Sequence, residues 1–184
     1  LTTLSIANSA GTTTLKTTKT ALTLNVDNIT NAVNLDGSAA AITTLTINAT
    51  GEDSKFALTA TKVETLTIAA AADLDISHTN TSLAALKTVD VNGAGAVNLG
   101  VISAATALNS FDASGNTGGV TATIETLSTS VGTITEYVFS AGNDVVTLAE
   151  TTVNTPITLG TGDDNISLAS GPTAFLTSPS ISAA

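Results

Sequence analysis

The chain has 184 residues, 42% of them hydrophobic and only 3% aromatic, with no Met, Trp or Cys. Any core is therefore filled by Leu, Ile, Val and Ala, and neither a disulfide framework nor a thiolate metal site can exist. Charged residues make up 11%, and 15 Asp and Glu against five Lys give a net charge of −10, which excludes nucleic acid or anionic lipid as a main partner and favours cations as ligands.

A short phrase returns along the chain. It begins as Leu1-Thr-Thr-Leu4-Ser-Ile6, Ala21-Leu-Thr-Leu24-Asn-Val26 and Ile42-Thr-Thr-Leu45-Thr-Ile47. It continues as Val63-Glu-Thr-Leu66-Thr-Ile68, Leu86-Lys-Thr-Val89-Asp-Val91 and Leu108-Asn-Ser-Phe111-Asp-Ala113. The markers Leu4, Leu24, Leu45, Leu66, Val89 and Phe111 follow one another at a nearly constant step, too even over six copies to be accidental. Within each copy apolar and polar residues alternate, the period-two pattern of a half-buried strand. A second alternating segment lies midway between copies: Thr14-Leu15, Val33–Leu35, Phe56–Leu58, Leu74–Ile76, Val97–Leu99 and Val120–Ile124. Turn-formers separate the strands, among them Asn8-Ser9-Ala10-Gly11, Asp36-Gly37-Ser38, Gly51-Glu52-Asp53 and Gly93-Ala94-Gly95.

A unit of about 21 residues with two or more short strands is too small to bury its own apolar face. Stacking such units is the logic of a solenoid. The expected fold is all-β, a parallel β-helix or β-solenoid of β-roll type, eight or nine coils in a rod about 40 Å long. Packing of leucine-rich-repeat type is the alternative, suggested by the Leu-x-x-Leu-x-Ile spacing. The whole chain reads as one segment: Thr/Ala-rich coils over 1–138, glycine- and aspartate-bearing coils over 139–168, and an irregular end over 169–184, where Pro172 and Pro179 break the period. It begins and ends in patterned sequence, as a piece of a longer chain would. Phe56, Phe111, Phe139 and Phe175 are expected in the core or at a cap, and Tyr137 at a rim with its hydroxyl in water.

The last third carries two related turns. Gly142-Asn143-Asp144-Val-Val146 and Gly160-Thr-Gly162-Asp163-Asp164-Asn165-Ile166 fit a degenerate form of the nonapeptide G-G-x-G-x-D-x-U-x, in which U is a large aliphatic. Their aspartates, Asp144 and Asp164, lie one coil apart. Calcium takes six to eight oxygens, which turns on neighbouring coils could share. Asp144 and Asp164 are the candidate side-chain ligands, with Asn143, Asp163 and Asn165 as helpers and glycine carbonyls as further donors. Gly-Asn-Asp and Gly-Asp-Asp are equally ordinary turn sequences. Asp90 and Asp112 are expected in one outward column of adjacent coils, where they either share a cation or are simply hydrated.

Catalysis has little to build on. His78 is the only histidine and reads as a solvated loop residue. The chain has no thiol, no Gly-x-Ser-x-Gly elbow, no phosphate-cradling Gly-x-x-x-x-Gly-Lys and no histidine pair for zinc. No enzyme activity is expected. Membrane insertion is not expected either, since no apolar run approaches the length of a membrane-spanning helix.

The phrase Thr-Leu-x-Ile-x-(Ala/Asn), the block from Leu108 to Thr123 and the Ala-Gly-Asn-Asp turn after it resemble bacterial surface-layer proteins. More broadly they resemble the repeat-in-toxin proteins exported by type I secretion. That resemblance implies a calcium-stabilised β-solenoid in a self-assembling lattice, secreted to the bacterial cell surface. It implies further copies of itself as the partner, with any cell-surface polysaccharide bound through another domain. The turn ligands it implies are Gly142, Asp144, Gly160, Gly162 and Asp164. Two other functions fit the pattern: a spacer segment of an adhesin, and an ice-binding face made of the outward Thr-x-Thr rows.

Overall fold

The computed structural model describes residues 1–37, 41–76, 83–102, 108–124, 137–148, 157–168 and 181–183. Nine strands lie side by side in chain order in one parallel sheet: Thr3–Ser9, Ala21–Ile29, Thr44–Ala49, Thr65–Ala70, Thr88–Gly93, Ser110–Asn116, Tyr137–Val138, Ile157–Gly160 and Ile181–Ala183. The return strands form two further parallel sheets. The shorter joins Thr13–Thr14, Val33–Asn34 and Leu58–Thr59; the longer joins Ser54–Lys55, Leu74–Asp75, Val97–Ile102, Val120–Ile124, Val145–Leu148 and Asn165–Leu168. No described residue is helical. The chain is a β-solenoid of about 22 residues per turn, and the leucine-rich-repeat alternative, which needs helical or 3₁₀ segments opposite the strands, falls away.

The alternation in sequence becomes alternation in space. Leu24, Val26, Leu45, Ile47, Leu66, Ile68, Val89 and Val91 are at most 1% exposed and stack along the interior. Their neighbours Thr23, Thr46, Thr67 and Asp90 face outward. Stacking is what completes the burial: Leu4 and Ile6, in the first strand, remain half-buried where their successors are sealed.

One register differs from the expected one. The repeating phrase matches Leu24 with Leu45, but Leu24 lies beside Ile47, and Leu45 lies beside Leu22. The strand Ala21–Ile29 is the longest, at nine residues, and offers three successive inward aliphatics, so the phrase can slide along it by two. A slide of two keeps every side chain on its own face, whereas a slide of one would invert them all. Sequence periodicity cannot distinguish registers that differ by two when both sides of the match are aliphatic.

The shift is felt on the return side. Phe56 donates its amide to Asp75 in the next coil, whereas Ala57 and Thr59 accept amides from Val33 and Leu35 in the previous one. Residues 54–59 therefore join both smaller sheets, which is why the return side divides in two.

Phe56, Phe111 and Phe139 are in the core as expected, but Tyr137 is fully buried and not at a rim. It occupies the inward position of the main sheet between Phe111 and Ile157, where alternation sends it inside. Its ring stacks on Phe139 at 6.3 Å, and Phe139 meets Phe111 at 5.3 Å. Ile181–Ala183, in the stretch expected to be irregular, supplies the ninth strand. Phe175, Pro172, Pro179 and His78 lie outside the described residues.

Candidate functional site

At the corners between the main sheet and the longer return sheet, the chain turns through a short segment of small and polar residues before the return strand begins. A glycine meets the coil before it at the equivalent place in four successive coils. Gly95, Gly118, Gly142 and Gly162 sit where a Cβ would overlap the backbone of the coil before, at Ala72, Gly95, Gly118–Gly119 and Gly142 respectively. The glycines of the nonapeptide-like turns are thus accounted for by close stacking. The corners at Gly95 and Gly118 obey the same rule with Val97 and Val120 two residues on.

The aspartates occupy that same position. Leu74 pairs with Val97 and Val97 with Val120, and the register of the next coils places Asp144 beside Val120 and Asp164 beside Asp144. Asp144 therefore sits in a column that is aliphatic in three preceding coils, and it is fully buried. Val146, two residues on, enters the core as expected.

A buried carboxylate must be hydrogen-bonded, and this one is. Asp144 Oδ1 accepts the Val120 amide at 2.7 Å and the Ser140 hydroxyl at 2.6 Å, and Oδ2 accepts the Ser140 amide at 3.0 Å. Its own amide donates to Asp164 Oδ1 at 3.1 Å in the coil after. Burial pushes the Asp144 carboxyl above its ordinary range; the Ser140 hydroxyl and the Val120 and Ser140 amides oppose that shift, and the neighbouring charge of Asp164 adds to it.

Asn116, also fully buried, organises the corner beneath. Its Nδ2 donates to the Gly95 carbonyl at 2.9 Å, and its Oδ1 accepts the amides of Gly118 and Gly119 at 3.1 and 2.9 Å. Neither Asn116 nor Ser140 stood out in the sequence. The available signal was their place two residues before a glycine, at or just past the end of a strand, where a side-chain acceptor closes the turn.

The structure brings only some of the expected ligands together. Asp144 and Asp164 are neighbours, and Asn143 and Asp163 lie outside them, the Asp163 amide donating to Asn143 Oδ1 at 2.9 Å. Gly142 and Gly160 are half-buried and Gly162 is exposed; Gly160 and Gly162 take positive φ of 77° and 126°. Asn165 starts the following return strand and is exposed. Asp90 and Asp112 are adjacent in the outward column, as expected. Each is held on its own strand, Asp90 by Asn92 Nδ2 at 2.6 Å and Asp112 by the Ser114 amide at 2.9 Å.

The central donors of this set are already engaged within the protein. Three N–H or O–H hydrogens point at the Asp144 carboxylate and compete with a cation for its lone pairs, and Asn143 Oδ1 is likewise taken by an amide. Among the described residues no three His, Cys, Asp or Glu side chains converge on a point that could hold an ion.

Carboxylates do the same capping elsewhere. Asp53 accepts the Asp73 amide at 3.1 Å, Asp73 the Ala96 amide at 2.8 Å, and Asp27 the Glu52 amide at 2.9 Å. A shallow groove of about 300 Å³ beside the return sheet is lined by Asp53, Lys55, Asp73 and Asp75. Lys55 is already matched there, with its ammonium on Asp75 at 2.7 Å. Comparison with family models, with curated proteins and with solved structures returned no match.

Proposed function

We propose that this chain is a structural module of a secreted, self-assembling protein of surface-layer type: a stiff rod whose polar side faces tile against further copies. The observation that carries this reading is the continuous parallel stacking, with one interior running from the coil of Leu4 to that of Ile166. A rod of this kind transmits load and sets spacing without needing a pocket. Its outward columns suit repeated lateral contact. Asn25 Nδ2 donates to Ser5 Oγ at 3.0 Å and Asn48 Nδ2 to Asn25 Oδ1 at 2.8 Å, so amides on successive coils hold one another in a fixed row. The calcium that the resemblance implies is not part of this proposal, because Asp144, the buried aspartate of the pair, is committed to capping.

The test is assembly. Purified chain viewed by negative-stain electron microscopy, at rising concentration with and without calcium, is expected to form ordered two-dimensional arrays. Single rods under every condition would reject the lattice and leave the spacer segment of an adhesin as the better reading.

A second reading has one observation in its favour. The corrected register aligns Thr3, Thr23, Thr46 and Thr67 in one outward column beside Thr44, Thr65 and Thr88 in another. Such a flat hydroxyl face is what ice binding requires, although Asp90 and Asp112 continue the first column with charge. Thermal hysteresis in a freezing-point measurement would support it, and its absence would dismiss it.

A further inference from the structure

Carboxylates in a coil array can serve two ends. They can collect a cation between coils, in which case their oxygens point at a shared centre with other oxygens around it. They can instead close the array by accepting amides that no strand partner satisfies. The two uses compete for the same lone pairs, so the direction of the donors decides between them.

We infer that the corner formed by Asn116, Ser140, Asp144 and Asp164 is an ion-independent clasp, in which a buried carboxylate takes the structural place that a calcium ion holds in a turn of this sequence pattern. Asp144 joins three successive coils. It accepts Val120 from the coil before, Ser140 from its own, and hands its amide to Asp164 in the coil after. Gly142 and Gly162 admit the close stacking by their lack of a Cβ, as Gly95 and Gly118 do in corners without a carboxylate.

Two features separate a clasp from an ion site that happens to be drawn tight. First, Asp144 stands in an inward column that holds Leu74, Val97 and Val120 in the three coils before it and is itself fully buried, so the position faces the core and not a mouth open to solvent. Second, the Ser140 hydroxyl is within reach of both Asp144 Oδ1 at 2.6 Å and the Gly142 carbonyl at 3.4 Å, and accepts the Gly142 amide at 3.1 Å. The glycine turn is thereby tied to the carboxylate through a protein hydroxyl, the link that an ion would otherwise make. The inference does not depend on lattice formation, which is read by a different experiment.

The test is thermal unfolding of the full chain, followed by circular dichroism, in excess chelator, in millimolar calcium and in millimolar magnesium, for the wild type, Asp144→Ala and Asp144→Val. The expected result is a wild-type midpoint that is the same in chelator and in calcium, and a midpoint several degrees lower in Asp144→Ala under both. Asp144→Val, which restores the aliphatic of the preceding coils, is expected to fall between the two. A calcium-dependent rise in the wild-type midpoint that Asp144→Ala abolishes would overturn the clasp. A rise kept by Asp144→Ala places the ion elsewhere in the chain and supports the assignment of this corner. Where the variants do not fold, amide exchange of the wild type decides: Val120 and Ser140 are expected to stay protected in chelator, and protection that appears only with calcium overturns the inference.

Discussion

A single carboxylate at the centre of a corner makes a prediction about acid. Burial holds Asp144 above the ordinary value of 3.8, so the folded chain takes up this proton at a higher pH than the unfolded one. Its contribution to stability is then fullest below 3.8 and is lost as the pH rises through the raised folded value. Acidification from neutral pH into that window should shift the difference between wild type and Asp144→Asn in favour of the wild type, because the amide does not titrate. Urea unfolding of both at several pH values checks this; a difference that stays constant or moves the other way contradicts it. At neutral pH, Asp144→Ala leaves the amides of Val120 and Ser140 and the Ser140 hydroxyl without their acceptor. Offset by the relief of a buried charge, a loss of about 2–4 kcal/mol is expected in denaturant unfolding. Gly142→Ala tests the other half of the corner: its Cβ would overlap the backbone of Gly118 and Gly119, and a loss of about 1–3 kcal/mol is expected in the same measurement, as for other forced overpacking. The glycine–aspartate spacing made this corner legible in the sequence, but its chemistry was not. Stacking alone demands the glycines, and which way the aspartate points depends on Ser140 and on the Val120 amide of the coil before, a partner that no local pattern announces.

Strands were the most legible feature, because alternation of aliphatic with Thr or Asn sets a face as well as an element. The inward set from Leu22 to Phe111 follows from that rule, and so does Tyr137, whose place beside Phe111 overrides the usual preference of a phenol for water. What periodicity left open was register wherever three inward aliphatics follow one another, as at Leu22, Leu24 and Val26. The pairing of Leu45 with Leu22 on one side and Leu66 on the other puts it in the middle of a sealed column. Leu66→Ala should cost about 2–5 kcal/mol, the range for deleting a buried leucine from an interior that cannot collapse around the gap. Thr67→Ala, one residue along on the outer face, should cost less than about 0.5 kcal/mol. Denaturant unfolding of the pair measures the contrast, and equal losses would mean that the alternation does not set the faces.

At the scale of the whole chain, each coil touches only the coils before and after it, and stability is a sum over neighbouring contacts. Removing one complete coil should therefore leave a shorter rod, whereas removing part of one should not. Excision of Val89–Ser110 deletes one complete repeat and brings Phe111 to the place of Val89, its partner in register. On the return side, Val120 then comes beside Leu74, since both pair with Val97. The shortened chain is expected to keep its β-sheet circular dichroism and cooperative melting, with a lower midpoint and a rod shorter by about 4.8 Å in small-angle scattering. Excision of Val89–Leu99 alone removes half of the same coil. Too little chain is then left to circle the rod before Ser110–Asn116, and folding should be abolished. The contrast is specific to a stacked coil: in a closed barrel or sandwich the larger excision would remove strands from a sheet that has no equivalent to replace them, and both deletions would unfold alike.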